Sequence, residues 1–82
     1  MGTVNMKSEL FKIADMLLKF MSKSNKDVIS TYKHNIEVNN LDTARIISDE
    51  LVDYFAEMDN SKAEEIANNL YNKTMEYYEL NS

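Results

Sequence analysis

The chain contains no proline, and its only glycine is Gly2. Tight β-hairpin turns usually depend on Asn-Gly, Asp-Gly or a glycine at positive φ, and none of these is available after residue 2. Amphipathic helices joined by short polar turns are the structure that such a sequence favours. We therefore predict an all-α fold.

With 82 residues, the chain makes one small domain near the lower size limit for a core without cross-links. The absence of cysteine excludes disulfides, thiolate zinc sites and cysteine nucleophiles. Stability must come from packing, and we hypothesise that two copies pair as a homodimer to bury the remaining apolar surface. Because the sequence shows no secretory signal and no bilayer-length apolar run, we expect a cytoplasmic protein that does not enter a membrane.

Apolar residues recur at three- and four-residue steps in four segments, which predicts helices over about residues 6–22, 25–38, 42–58 and 62–80. Short connections between four helices favour a small antiparallel four-helix bundle. The polar segment 22–25 contains no strict helix breaker, so one alternative stays open. In it, the first two helices are continuous and the chain forms a three-helix hairpin arrangement that dimerises.

The predicted core consists of the apolar face of each helix. Its members are Met6, Leu10, Phe11, Ile13, Ala14, Leu17, Leu18, Phe20 and Met21 in the first helix, Val28, Ile29, Tyr32 and Ile36 in the second, Ala44, Ile47, Leu51, Tyr54, Phe55 and Met58 in the third, and Ala63, Ile66, Ala67, Leu70, Thr74 and Tyr77 in the fourth. The second helix has the thinnest apolar stripe, so we expect it to have the lowest local stability.

Polar residues at the helix starts are the predicted N-caps, because their side-chain oxygens accept hydrogen bonds from first-turn N–H groups. These residues are Asn5, Ser24, Asp42 and Ser61. The signal is strongest at Ser61, since Glu64 follows three residues later as in a capping box. Asn39-Asn40 is predicted to end the second helix, because asparagine tolerates the left-handed conformation.

The formal charge of −5 is divided unevenly between the two halves of the chain. Residues 1–40 contain six lysines and four carboxylates, a charge of +2, whereas residues 41–82 contain ten carboxylates and three basic residues, a charge of −7. Halves of opposite sign can complement each other within one bundle or across two copies.

Few residues are suited to catalysis. His34 is the single imidazole, and no nucleophile motif accompanies it. His34 and Glu37 stand three apart, but a bundle di-metal site needs two Glu-x-x-His pairs with further inward carboxylates. We therefore predict a protein that is not an enzyme and that has no catalytic residues, no metal site and no cofactor.

Direct nucleic-acid binding is disfavoured by the charges. Residues 27–51 could be drawn as a helix-turn-helix, but the second helix would then present Asp49, Glu50 and Asp53 to phosphates. The acidic third and fourth helices favour the opposite role as an alternative function. In that role the chain is a nucleic-acid-mimicking decoy that inhibits a DNA- or RNA-binding protein.

Apolar residues at the margins of the stripes favour protein binding instead. Tyr71, Met75 and Tyr78 edge the last helix and match the Tyr- and Met-rich composition of interface cores. Ile46 and Met16 lie off or at the margin of their own stripes. We predict that these five residues bind another protein, for which the chain acts as an adaptor, chaperone or inhibitor.

A family resemblance points in the same direction. Its elements are Ile36-Glu37, Ala44, Asp59, Glu65-Ile66-Ala67 and Asn69-Leu70-Tyr71. This pattern resembles the helical hairpin of flagellin export chaperones, over about half of the chain. The resemblance implies a small, non-enzymatic helical bundle that holds a helical segment of a secreted subunit, and it assigns no binding residues to this chain.

Overall fold

A computed structural model describes residues 2–81, with side chains from Met6 onward. Four α-helices make up most of this part of the chain. The helices are α1 (Gly2–Met16), α2 (Asp27–Glu37), α3 (Leu41–Glu57) and α4 (Ser61–Asn81). Two short 3-10 helices, η1 (Leu18–Phe20) and η2 (Lys23–Asn25), join α1 to α2. The described residues form no strand, and the predicted all-α four-helix bundle is confirmed.

The first helix ends at Met16 rather than at residue 22, and α1 and α2 are separate. The alternative with one continuous helix is therefore wrong. After the break the backbone makes 3-10 hydrogen bonds, and Met21 is extended (φ −107°, ψ 145°). This path keeps both Leu17 and Met21 buried, and it places the Phe20 ring edge-on to Phe55, with 6.4 Å between the ring centres. Core packing thus ends the first helix at a point where the periodicity alone would continue it.

The same turn closes α2 and α3. Asn39 (φ 62°) and Asp59 (φ 59°) are both left-handed, and the N–H groups of Asn40 and Asn60 donate to carbonyls five residues earlier, at Asn35 and Phe55. A left-handed residue with such a bond is the Schellman motif. The prediction that Asn39-Asn40 ends the second helix is confirmed, and Asp59-Asn60 makes the same turn before α4.

These turns shift the helix starts away from the predicted caps. The residues before α3 and α4 are Asn40 and Asn60, so the predicted caps Asp42 and Ser61 already lie inside helices. Asn60 caps α4 directly, since its Oδ1 accepts a hydrogen bond from the Ala63 N–H at 3.2 Å. In each turn a single residue, Asn40 or Asn60, separates the left-handed residue from the next helix. Each helix therefore begins before the residue predicted to cap it, or at that residue.

The other two predicted caps are also wrong. The first helix begins at Gly2, three residues before Asn5. Ser24 lies inside η2, and the residue before α2 is Lys26, which makes no side-chain capping bond. Because η2 leads directly into α2, the start of that helix does not depend on a capping side chain.

Contacts between opposite ends of neighbouring helices show that the helices are antiparallel. Asn25, just before α2, donates a hydrogen bond to the hydroxyl of Tyr54 near the end of α3. Arg45 near the start of α3 lies over the ring of Tyr78 near the end of α4. The contact between α3 and α4 is the most extensive, and α1 packs against both α2 and α4 to close the bundle.

The core agrees with the predicted faces, with a few differences. Met58 is exposed rather than buried, because it is the C-terminal cap residue of α3. The predicted core residues that are only half-buried are Met6, Phe11, Leu18, Phe20, Val28, Tyr54 and Ile66. The buried residues are Leu10, Ile13, Ala14, Leu17, Met21, Ile29, Tyr32, Asn35, Ile36, Leu41, Ala44, Ile47, Ser48, Leu51, Phe55, Ala63, Ala67, Leu70, Thr74 and Tyr77.

Candidate partner-binding surface

Three of the predicted binding residues form a row along one flank of α4. Tyr71, Met75 and Tyr78 are separated by four and three residues, which puts them on one face over about 10 Å. All three side chains are half-buried. The row faces α3, because the guanidinium carbon of Arg45 lies 5.1 Å from the centre of the Tyr78 ring.

The α3 side of this row follows from the antiparallel packing. Arg45 and Val52 are seven residues apart and share a face of α3. Arg45 lies beside Tyr78, and Val52 is half-buried on the same face of α3. We call Arg45, Val52, Tyr71, Met75 and Tyr78 the α3–α4 seam.

The aromatic and apolar members of the α3–α4 seam differ in their packing. Val52 and Tyr78 pack against the buried core, and the Arg45 guanidinium also covers Tyr78. Tyr71 and Met75 are the half-buried members that lie outside the set of described side chains packed against the core. Tyr78 is thus largely engaged within the molecule, whereas Tyr71 and Met75 are the members with the fewest internal roles.

The structure does not bring Ile46 and Met16 to this seam. Ile46 is 51% exposed and follows Arg45 directly, so a rotation of about 100° turns it away from α4. Met16, 46% exposed, ends α1 on the other side of the bundle. These two residues are isolated exposed side chains, which are common on protein surfaces.

Carboxylates surround the α3–α4 seam. Asp49 lies one turn after Arg45, Asp53 follows Val52, and Glu64 lies two turns before Tyr71 on the same face. Of the ten carboxylates in residues 41–82, Asp42 alone forms an ion pair among the described residues, with Arg45 at 3.5 Å. The remaining negative charge on α3 and α4 is therefore not neutralised by close internal cations.

The two oppositely charged halves make little use of each other within one bundle. Ion pairs of 3.4 Å and 2.8 Å join α1 to α2, through Lys7–Glu37 and Lys33–Asp15. Among the described residues, one pair joins the halves, and it runs from Lys73 of the acidic half to Glu9 of the basic half. The charge asymmetry consequently persists at the surface of the folded chain.

The described residues form no cluster that could hold a metal ion. His34 and Glu37 are both exposed on α2. Within residues 2–81 no three side chains of the His, Asp or Glu type lie close enough to hold one metal ion. None of the helices in that range has the length and apolar content that crossing a bilayer requires.

Two linked buried hydrogen bonds, which the sequence did not reveal, anchor α2, the helix with the thinnest apolar stripe. The hydroxyls of Tyr32 and Thr74 are 2.7 Å apart, and the Thr74 hydroxyl donates to the Leu70 carbonyl at 2.6 Å. Since threonine has a single hydroxyl proton, the Tyr32 O–H must be the donor to Thr74. Burial raises the pKa of Tyr32 to about 12. The only sequence signal was a threonine within an apolar stripe.

A second surface feature is a cleft between α2 and α3, below the linker from α1. Its volume is about 220 Å³, and it is lined by Met21, Asn25, Val28, Glu50, Leu51 and Tyr54. The cleft lies on the α2 side of α3, whereas the α3–α4 seam lies on the α4 side. The two features are therefore separate surfaces.

Comparison with protein-family models, curated proteins and solved structures found no match to this chain. Function must accordingly be argued from the geometry and charge of the chain itself.

Proposed function

We propose that this chain is a non-enzymatic, cytoplasmic protein-binding module that needs no cofactor and acts as an adaptor, chaperone or inhibitor of another protein. The partner would contact the α3–α4 seam through Tyr71 and Met75. A chaperone like those that export flagellin, as the resemblance implies, is one form of this proposal.

The packing of Tyr71 and Met75 is the observation that supports the proposal. Both are large side chains at the rim of the best-packed helix pair, yet they lie outside the set that packs against the core. Tyrosine and methionine are enriched in interface cores, and tyrosine adds contact area at modest entropic cost. Binding through this rim would therefore require little rearrangement of the buried core.

The test compares three variants for capture of a protein from an extract of the native host. Tyr71→Ala and Met75→Ala should each weaken capture, while thermal unfolding remains close to that of the unchanged chain. Leu80→Ala is the matched control, because Leu80 is an exposed apolar residue of the same helix on its other flank. The captured protein should then be purified and its affinity measured with each variant.

Equal weakening by Leu80→Ala would show that α4 binds non-specifically through any apolar side chain. Unchanged binding in both Tyr71→Ala and Met75→Ala would remove the seam from the interface. Either result would refute the proposal in its present form.

The unpaired carboxylates of α3 and α4 favour a second candidate function, the acidic decoy for a DNA- or RNA-binding protein. A decoy relies on its charges, so its binding should weaken steeply as salt rises, whereas apolar docking should respond little. It should also tolerate Tyr71→Ala. Binding that collapses between low and physiological salt, with the seam variants unaffected, would favour the decoy over the adaptor.

A further inference from the structure

The cleft between α2 and α3 has the size and lining of a site for a small ligand. Its volume of about 220 Å³ exceeds the roughly 150 Å³ of an apolar cavity that holds benzene. Met21, Val28 and Leu51 supply an apolar floor, and Tyr54 supplies an aromatic ring. Met21, which is extended in the linker after α1, lines the cleft from the side of the linker.

Two polar groups of the cleft, the Asn25 amide oxygen and the Glu50 carboxylate, are free acceptors, and the Tyr54 hydroxyl keeps its own proton to donate. The Asn25 amide nitrogen donates to the Tyr54 hydroxyl at 3.0 Å and to Ser22 at 3.1 Å, which orients the amide oxygen away from these bonds. No hydrogen bond among the described residues uses that oxygen. Glu50 belongs to no ion pair of the described chain, and the lining includes no basic residue. A carboxylate and an amide oxygen beside an apolar floor complement a cationic donor group with an apolar body.

We propose that this cleft binds a small organic cation, namely a primary ammonium joined by a short chain to an aromatic or branched apolar group. The apolar group packs against Met21, Val28 and Leu51, and methionine sulfur makes favourable contacts with aromatic rings. The ammonium lies at the rim, within reach of Glu50. This site is independent of the proposed partner surface, because it lies on the opposite flank of α3.

The test titrates 2-phenylethylamine and its neutral analogue 2-phenylethanol against the full chain, with methyl resonances of Met21, Val28 and Leu51 observed by NMR. The amine should shift these signals with a Kd on the order of 1 mM, as is usual for so few atoms. It should bind up to about fivefold more tightly than the alcohol, the upper range for an exposed ion pair.

Two charge variants test whether Glu50 causes the tighter binding of the amine. Glu50→Gln should abolish the tighter binding of the amine relative to the alcohol. Asp49→Asn removes the same charge from the neighbouring position, on the α4 side of α3 and outside the cleft, so it should preserve the tighter binding of the amine. Val28→Phe should fill the cleft and weaken both probes.

Three outcomes would overturn the proposal. They are equal binding of the two probes to the unchanged chain, equal effects of Glu50→Gln and Asp49→Asn, and shifts confined to methyl groups outside the cleft. If Val28→Phe does not fold, the two charge variants still decide between these outcomes and the proposed site.

Discussion

The direction of the hydrogen bonds between α2 and α4 makes a specific prediction about stability. Thr74→Val preserves the shape of the side chain but leaves the Tyr32 O–H buried without an acceptor. Stranding a buried donor costs about 1–3 kcal/mol. Tyr32→Phe should cost less, about 0.5–1.5 kcal/mol, because the Thr74 hydroxyl still donates to the Leu70 carbonyl.

The double variant tests the donor assignment. Removing the Tyr32 hydroxyl from the Thr74→Val background eliminates the stranded group, so the double variant should be more stable than Thr74→Val alone. Replacing both partners of a buried bond with apolar groups of similar shape is often nearly neutral. Urea unfolding followed by circular dichroism on all four chains gives the coupling energy.

Thr31→Val is the matched control. Thr31 also donates its hydroxyl to the carbonyl four residues earlier, at Asp27, but it is exposed and bonds to no tyrosine. Its replacement should change the free energy of unfolding by only a few tenths of a kcal/mol. Additive costs for Tyr32→Phe and Thr74→Val would refute the reasoning, because they would show that the two hydroxyls do not depend on each other.

Further predictions concern pH, the seam, capping and assembly. Because the pKa of Tyr32 is raised from 10.0 to about 12, folding stability from this group is fully present below pH 10 and is lost as pH rises toward 12; urea unfolding should show the loss, smaller in Tyr32→Phe. Leu70→Ala leaves a cavity at a fully buried position and should cost about 2–5 kcal/mol, whereas Tyr71→Ala should cost far less; equal lowering of Tm would place Tyr71 in the core. Asn60→Ala should cost about 1 kcal/mol in urea unfolding, and Ser61→Ala should cost less; the reverse order would restore Ser61 as the cap. Two copies should pair in sedimentation experiments, and a monomer at high micromolar concentration would contradict the homodimer.

The periodicity of the sequence determined the four helices and most of the core. In α4, five of the six residues of the predicted face are buried, because a spacing of three and four residues leaves only one side available to the core. Ile66 is the half-buried exception. The absence of proline and of internal glycine excluded most competing folds. The row formed by Tyr71, Met75 and Tyr78 could also be predicted, since it depends only on positions along a single helix.

Contacts between different helices could not be predicted from the periodicity of each helix. The neighbour that a helix flank faces depends on how all four helices pack. The structure was therefore needed to place Arg45 beside Tyr78 and to separate Ile46 and Met16 from the α3–α4 seam. Helix starts shifted for a related reason: a left-handed Asn39 or Asp59 closes one helix and sets the first residue of the next, whichever nearby side chain could act as a cap.

The polar contacts depended most on tertiary structure. Tyr32 and Thr74 are 42 residues apart in the chain, and no local pattern predicts that their hydroxyls meet inside the core. The cleft below the linker arises likewise, since Met21 and Leu51 line it from distant parts of the chain. Local periodicity determined which side of each helix turns inward, whereas the packing of four helices against one another decided which side chains meet there.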